Sequence, residues 1–155
     1  MARQIGVTMR IMFVACLVLC ASCGSALLQP GTYSANITYT RDDWSISMAG
    51  QTTHAVWNIA EDAGKYKLDI VSGSQDLPGK EDGNRVVFEM DQIQVISGCE
   101  NGQTFLLELD PNSDGDAFTG YGKVTVSYGT WGGNIVGCDG IVWVITEVTV
   151  SGKQD

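Results

Sequence analysis

Thr32-Tyr33-Ser34-Ala35-Asn36-Ile37-Thr38-Tyr39-Thr40 alternates without error, placing Tyr33, Ala35, Ile37 and Tyr39 on one side and only hydroxyl or amide residues on the other. Successive side chains of an extended chain point to opposite faces. A period of two that sorts apolar from polar therefore describes a strand with one face in a core and the other in water.

The same period recurs along the chain in Ala55, Trp57 and Ile59, in Tyr66, Leu68 and Ile70, in Val86, Phe88 and Met90, and in Phe105, Leu107 and Leu109. Phe118, Gly120, Gly122, Val124, Val126 and Tyr128 form the longest such series. From Ile141 to Val150 the chain is β-branched and apolar on both faces at its start, which predicts that its first half is the most buried stretch. Met90 and Ile93 are three apart although both are apolar, which predicts a bulge or turn at Asp91 and Gln92. Turn signals stand at Asp62 to Gly64, Pro78-Gly79, Asp82-Gly83, Asn101-Gly102, Asp114-Gly115 and Asp139-Gly140.

No segment carries a helical period. About seven to nine short strands at this spacing, with 19 glycines and three prolines, predict an all-β domain, either an antiparallel barrel or a β-sandwich. Gly120 and Gly122 within an inward-facing series favour the barrel, because glycine permits the bending that closure needs.

Charge excludes one class of partner. All 18 acidic residues lie from Asp42 onward, and the whole chain carries −9. Such a field repels phosphate backbones, so nucleic acid is not an expected partner.

Met1 to Arg10 holds two arginines and no acid, Ile11 to Ala21 is an unbroken apolar run, and Ser22, Cys23, Gly24, Ser25 and Ala26 are small. This is the pattern of a secretory signal peptide. The run is also too short to span a bilayer, which takes about 20 residues. Cys20-Ala21-Ser22-Cys23 resembles the end of a bacterial lipoprotein signal, with Ala21 and Ser22 in the small positions and Cys20 where leucine is usual. The resemblance implies cleavage before Cys23, diacylglycerol on its thiol, and acylation of the new amino terminus, giving a firm membrane anchor. Gly24, not being aspartate, implies sorting to an outer membrane where the host has one. Ordinary cleavage after Ala26 is the alternative. On the lipoprotein reading residues 1–22 are the signal, 23–30 a short tether and 31–152 the domain.

Of five cysteines, Cys16 and Cys20 then leave with the signal and Cys23 is acylated. Cys99 and Cys138 remain as an even pair in an oxidising compartment, which predicts a disulfide. Pro30-Gly31-Thr32-Tyr33 weakly resembles the opening of lipocalin-like barrels, where an aromatic two residues after a glycine begins the first strand. That resemblance implies an internal pocket for a small apolar ligand.

His54, the single histidine, falls on the outward side of its strand, and neither a Gly-x-Ser-x-Gly turn nor a zinc or phosphate motif is present. Adjacent carboxylates at Asp42-Asp43, Glu61-Asp62 and Glu81-Asp82 fall in expected turns. Asp110, Asn112, Asp114 and Asp116, with Gly115 in sixth place, resemble a calcium loop of the EF-hand or dockerin type, although Tyr121 stands where that family has a bidentate acid. A plain turn is the alternative. Trp57 and Trp143 fall on core-type faces, whereas Trp44 and Trp131 lie in turn-like segments suited to a binding rim.

These readings predict a non-catalytic, lipid-anchored envelope barrel that binds a small apolar ligand or contacts another envelope component. A protein-docking sandwich and a carbohydrate-active hydrolase are the alternatives.

Overall fold

The computed structural model describes residues 26–44, 48–70, 76–96, 99–130 and 140–155. Residues 1–22, expected above to be a signal, and Cys23, Trp131 and Cys138 lie outside the described residues. Cys99 is placed by its backbone alone, so the Cys99–Cys138 pairing lies outside them too.

Eight antiparallel strands run up and down in chain order: β1 (Gly31–Asp42), β2 (Thr52–Asp62), β3 (Lys65–Ile70), β4 (Leu77–Asp82), β5 (Arg85–Ile96), β6 (Cys99–Pro111), β7 (Ala117–Thr130) and β8 (Gly140–Gln154). β8 returns to pair with β1, and the sheet closes into one barrel. Closure leaves neither terminal strand with an unpaired edge, which settles the choice against a sandwich.

The alternation seen in the sequence maps onto inside and outside. Tyr33, Ala35, Trp57, Ile59, Tyr66, Leu68, Val86, Phe88, Leu107, Leu109, Phe118 and Val150 are buried together in one core. Glycine lets these large groups fit: Gly79 faces Phe88 across the β4–β5 ladder, and a Cβ on it would stand 2.6 Å from the ring. Gly152 faces Phe118 in the same way across β7–β8. Ring over glycine is a cross-strand pairing that fills the space a missing side chain leaves.

The core lies toward the end of the barrel that holds the β2–β3, β4–β5 and β6–β7 turns. Leu28, in the segment before β1, is fully buried there. Its backbone N–H donates to the Tyr66 hydroxyl at 3.3 Å, and that hydroxyl donates to Glu81 Oε1 at 3.0 Å. The Tyr33 hydroxyl donates to the carbonyls of Gln29 at 2.6 Å and Gly115 at 2.9 Å. Residues 26–30 are thus part of the barrel's floor.

Four expectations are corrected. Pairing of β5 with β6 is continuous from Val86↔Leu109 to Ile96↔Cys99, so no bulge interrupts Asp91 and Gln92. Gln92 and Gln94 continue the inward face, and Ile93 and Val95 point outward, 71% and 67% exposed. The register shift occurs instead in β1, between Tyr39 and Arg41. Pro78-Gly79 and Asn101-Gly102 lie inside β4 and β6, where ladder pairing overrides their turn preference. Trp143 is on the outer face, 61% exposed, while Val144 on the opposite face is buried. The first half of β8 is therefore not its most buried part, because in a closed barrel only one face of a strand meets the core.

Candidate functional site

Along the inner wall, the chemistry changes with height. On β5 the inward series is Val86, Phe88, Met90, Gln92, Gln94, and its partners on β6 are Leu109, Leu107, Phe105, Gln103, Asn101. Both strands pass from apolar to amide at the same level.

Two adjoining spaces follow from that change. The deeper one, about 170 Å3, is bounded mainly by apolar groups, among them Ile37, Trp57, Phe105, Leu107, Val124 and Val148. Above it lies a cavity of about 440 Å3 lined by Trp44, Gln92, Gln94, Asn101, Gln103 and Tyr128, with Val126, Ser127 and Gly102 completing the wall. Phe105 and Val124 bound the lower space and Gln103 and Val126 the upper one. Residues two apart on one strand face are about 7 Å apart, so the two spaces are consecutive storeys of one interior.

Trp44 is held over the upper storey by the chain that leaves β1. The Asp42 carboxylate accepts from the Trp44 backbone N–H at 3.1 Å and from the Thr146 hydroxyl at 3.1 Å. An aspartate bonding the N–H two residues on makes a local turn. Asp43 N–H donates to the Ile145 carbonyl at 3.0 Å, and Asp43 Oδ2 accepts from Ile145 N–H at 3.1 Å. Arg41 binds the same carboxylate through Nε and Nη2, both at 2.9 Å, which holds the Asp43 carboxyl below its ordinary range. So anchored, the indole stacks on the Tyr128 ring with centroids 6.1 Å apart, and it remains 62% exposed.

In the lower storey Trp57 is 2% exposed and lies parallel to Phe118 at 5.5 Å. Its Nε1–H is buried and finds no acceptor among the described residues. A buried donor left unmet costs about 1–3 kcal/mol, so it marks a place where an acceptor on a guest or a water is favoured.

The acidic hairpin is placed apart from this interior, at the opposite end of the barrel. Asp110 lies on β6 with its carboxylate 2.6 Å from Arg85 Nε. Asn112 donates to Asp116 Oδ1 at 2.7 Å and accepts from Ala117 N–H at 3.2 Å. Gly115 takes the positive φ that closes the turn. Among the described residues no three His, Cys, Asp or Glu side chains come together as a group that could hold a metal ion. His54 is exposed on the outer face, opposite Asn36.

Of the expected rim residues, Trp44 is thus at the cavity. Sequence reasoning missed Gln92, Gln94, Asn101, Gln103 and Tyr128. The signal for the glutamines was present in their parity with Val86, Phe88 and Met90, but was masked by the apolar Ile93 and Val95 beside them. No known protein family matches this chain, and none of the curated proteins or solved structures compared with it matches either.

Proposed function

We propose that this protein is a non-catalytic binding barrel of the cell envelope, anchored through a lipid on Cys23, that holds one small amphipathic ligand inside the strands. The observation that carries the reading is the two-storey interior, an apolar chamber beneath an amide-lined cavity, above a floor filled by Leu28, Tyr33 and Phe118. The combined space falls in the range of small-molecule sites, about 300–1,000 Å3. The purely apolar ligand expected from the sequence is widened to an amphipathic one, because Gln94 and Gln103 put amide donors and acceptors on the upper wall that a polar headgroup can meet and a hydrocarbon cannot.

The anchor reading fits the place of Cys23 in the sequence. Cys23 is three residues before Ala26, which packs at the floor. A lipid there sets the floor toward the membrane and the cavity away from it, since three residues reach at most about 11 Å.

A soluble fluorescent amphiphile titrated into the folded, delipidated protein tests the binding. Saturation at one site per chain, with quenching of tryptophan emission, is expected; absence of saturable binding overturns the reading. Intact mass of the exported protein tests the anchor. A chain starting at Leu27 without acyl mass overturns it.

A second reading, contact with another envelope protein, is favoured by Ile93, Val95 and Trp143 on the outer face. Ile93 and Trp143 stand at the two ends of one cross-strand row through Gly102 and Ser127.

A further inference from the structure

We infer that the ligand is a neutral glycoside, a sugar-like headgroup joined to an apolar chain; this rests on the binding reading above and names its ligand class. The chain carries −9, yet the described lining of the upper cavity is four amides, a serine, an indole and a phenol, and among the described residues no carboxylate, lysine or arginine joins it. The nearest carboxylates along β1 are engaged elsewhere, Asp42 with Trp44 N–H and Thr146 and Asp43 with Arg41 and Ile145.

The cavity is open to solvent, with Gln94, Gln103 and Trp44 exposed on its wall, so an ionised headgroup would keep part of its hydration there but would gain no opposite charge from the described lining. Carboxylates and phosphates are also opposed by the acidic field of the whole domain. A polyhydroxylated neutral ring has the opposite balance. Each primary amide presents two donors and one acceptor oxygen, and each hydroxyl donates once and accepts twice, so amides and hydroxyls satisfy one another without net charge.

Geometry adds the face. Trp44 offers an exposed indole at the cavity, fixed in place by the Asp42 turn and by Tyr128 behind it. A flat ring of that kind suits the apolar C–H face of a sugar, whose rim hydroxyls are then left for Gln94 and Gln103. The apolar storey below, bounded by Ile37, Phe105, Leu107 and Val148, takes the chain joined to the headgroup.

The test is calorimetric titration of the delipidated protein with octyl glucoside below its micellar concentration, beside octanol, glucose, octanoate and octyl phosphocholine. The expected result is one site that binds octyl glucoside at least tenfold more tightly than any of the other four. Gln94→Leu with Gln103→Leu should remove that preference while octanol binding is retained and the far-ultraviolet spectrum is unchanged. Tighter binding of octanoate or octyl phosphocholine would overturn the neutral headgroup and leave the binding barrel standing. Equal affinity for octyl glucoside and octanol would overturn the sugar contact. Failure of all five to bind would overturn the binding barrel itself, and this inference with it.

Discussion

The indole of Trp44 lies over the ring of Tyr128 with planes inclined by 24°, so a residue just beyond the end of β1 is seated on the inner face of β7. Seats of this kind position a contact surface without burying it. Trp44→Ala should therefore weaken amphiphile binding at least tenfold but lower stability only by about 0.5–1.5 kcal/mol, the usual worth of an aromatic pair. Paired ligand titration and urea denaturation check this; a loss of several kcal/mol would make Trp44 a core residue.

Leu28 should behave oppositely. Fully buried among the floor residues, it should cost about 2–5 kcal/mol when replaced by alanine. Chemical denaturation measures that cost, and a neutral outcome would show that residues 26–30 do not close the barrel.

Alkaline pH should loosen the same floor. The Tyr33 hydroxyl is pushed up to about 12, chiefly by burial and then by the Asp116 carboxylate and Tyr66. A folded-state value above the unfolded one near 10 means that the native state keeps its proton longer. The contribution is complete below about pH 10 and is lost as pH rises from there toward 12. Tyr66 is raised as well, first by burial, so both phenols act in one direction. Stability curves of the wild type and Tyr33→Phe should converge over that interval, and parallel curves would refute the assignment.

Ala63 holds a φ of +51° in the β2–β3 turn, beside Gly64 at +78°. Two residues with positive φ make the turn that matches strand twist, and alanine is strained there. Ala63→Gly should raise stability by about 0.5–1 kcal/mol, read from the urea midpoint, whereas a decrease would mean that chain entropy outweighs the relief.

If the chain is exported as proposed, Cys99 and Cys138 should be joined. Closing a loop of about 40 residues contributes about 4 kcal/mol in the chain-entropy model. Thiol titration of the unfolded, unreduced chain should find neither free, and two free thiols would refute the bond.

Strand identity and inward face were legible wherever local alternation was clean, as in Tyr33 to Tyr39 and Phe118 to Tyr128. Legibility failed where an apolar residue sat on the outer face. Ile93 and Val95 draw attention from Gln92 and Gln94, and Trp143 reads as core because the run that holds it is apolar on both faces. The turn signals at Pro78-Gly79 and Asn101-Gly102 misled for a related reason, since local turn preference is weaker than a ladder paired on both sides.

Of the site, Trp44 was visible as an aromatic in a turn-like segment, but its seat was not. Asp42 and Asp43 reach Thr146 and Ile145, contacts about a hundred residues apart that leave no local trace. By itself the sequence determined the all-β class, most of the inward residues and the acidic surface, because alternation and charge are properties of neighbouring residues. Only the tertiary structure decided the closure of β8 on β1, the continuous β5–β6 register and therefore the amide-lined cavity. These follow from hydrogen-bond pairing between distant strands, and a shift of one residue in that pairing would have turned every glutamine outward.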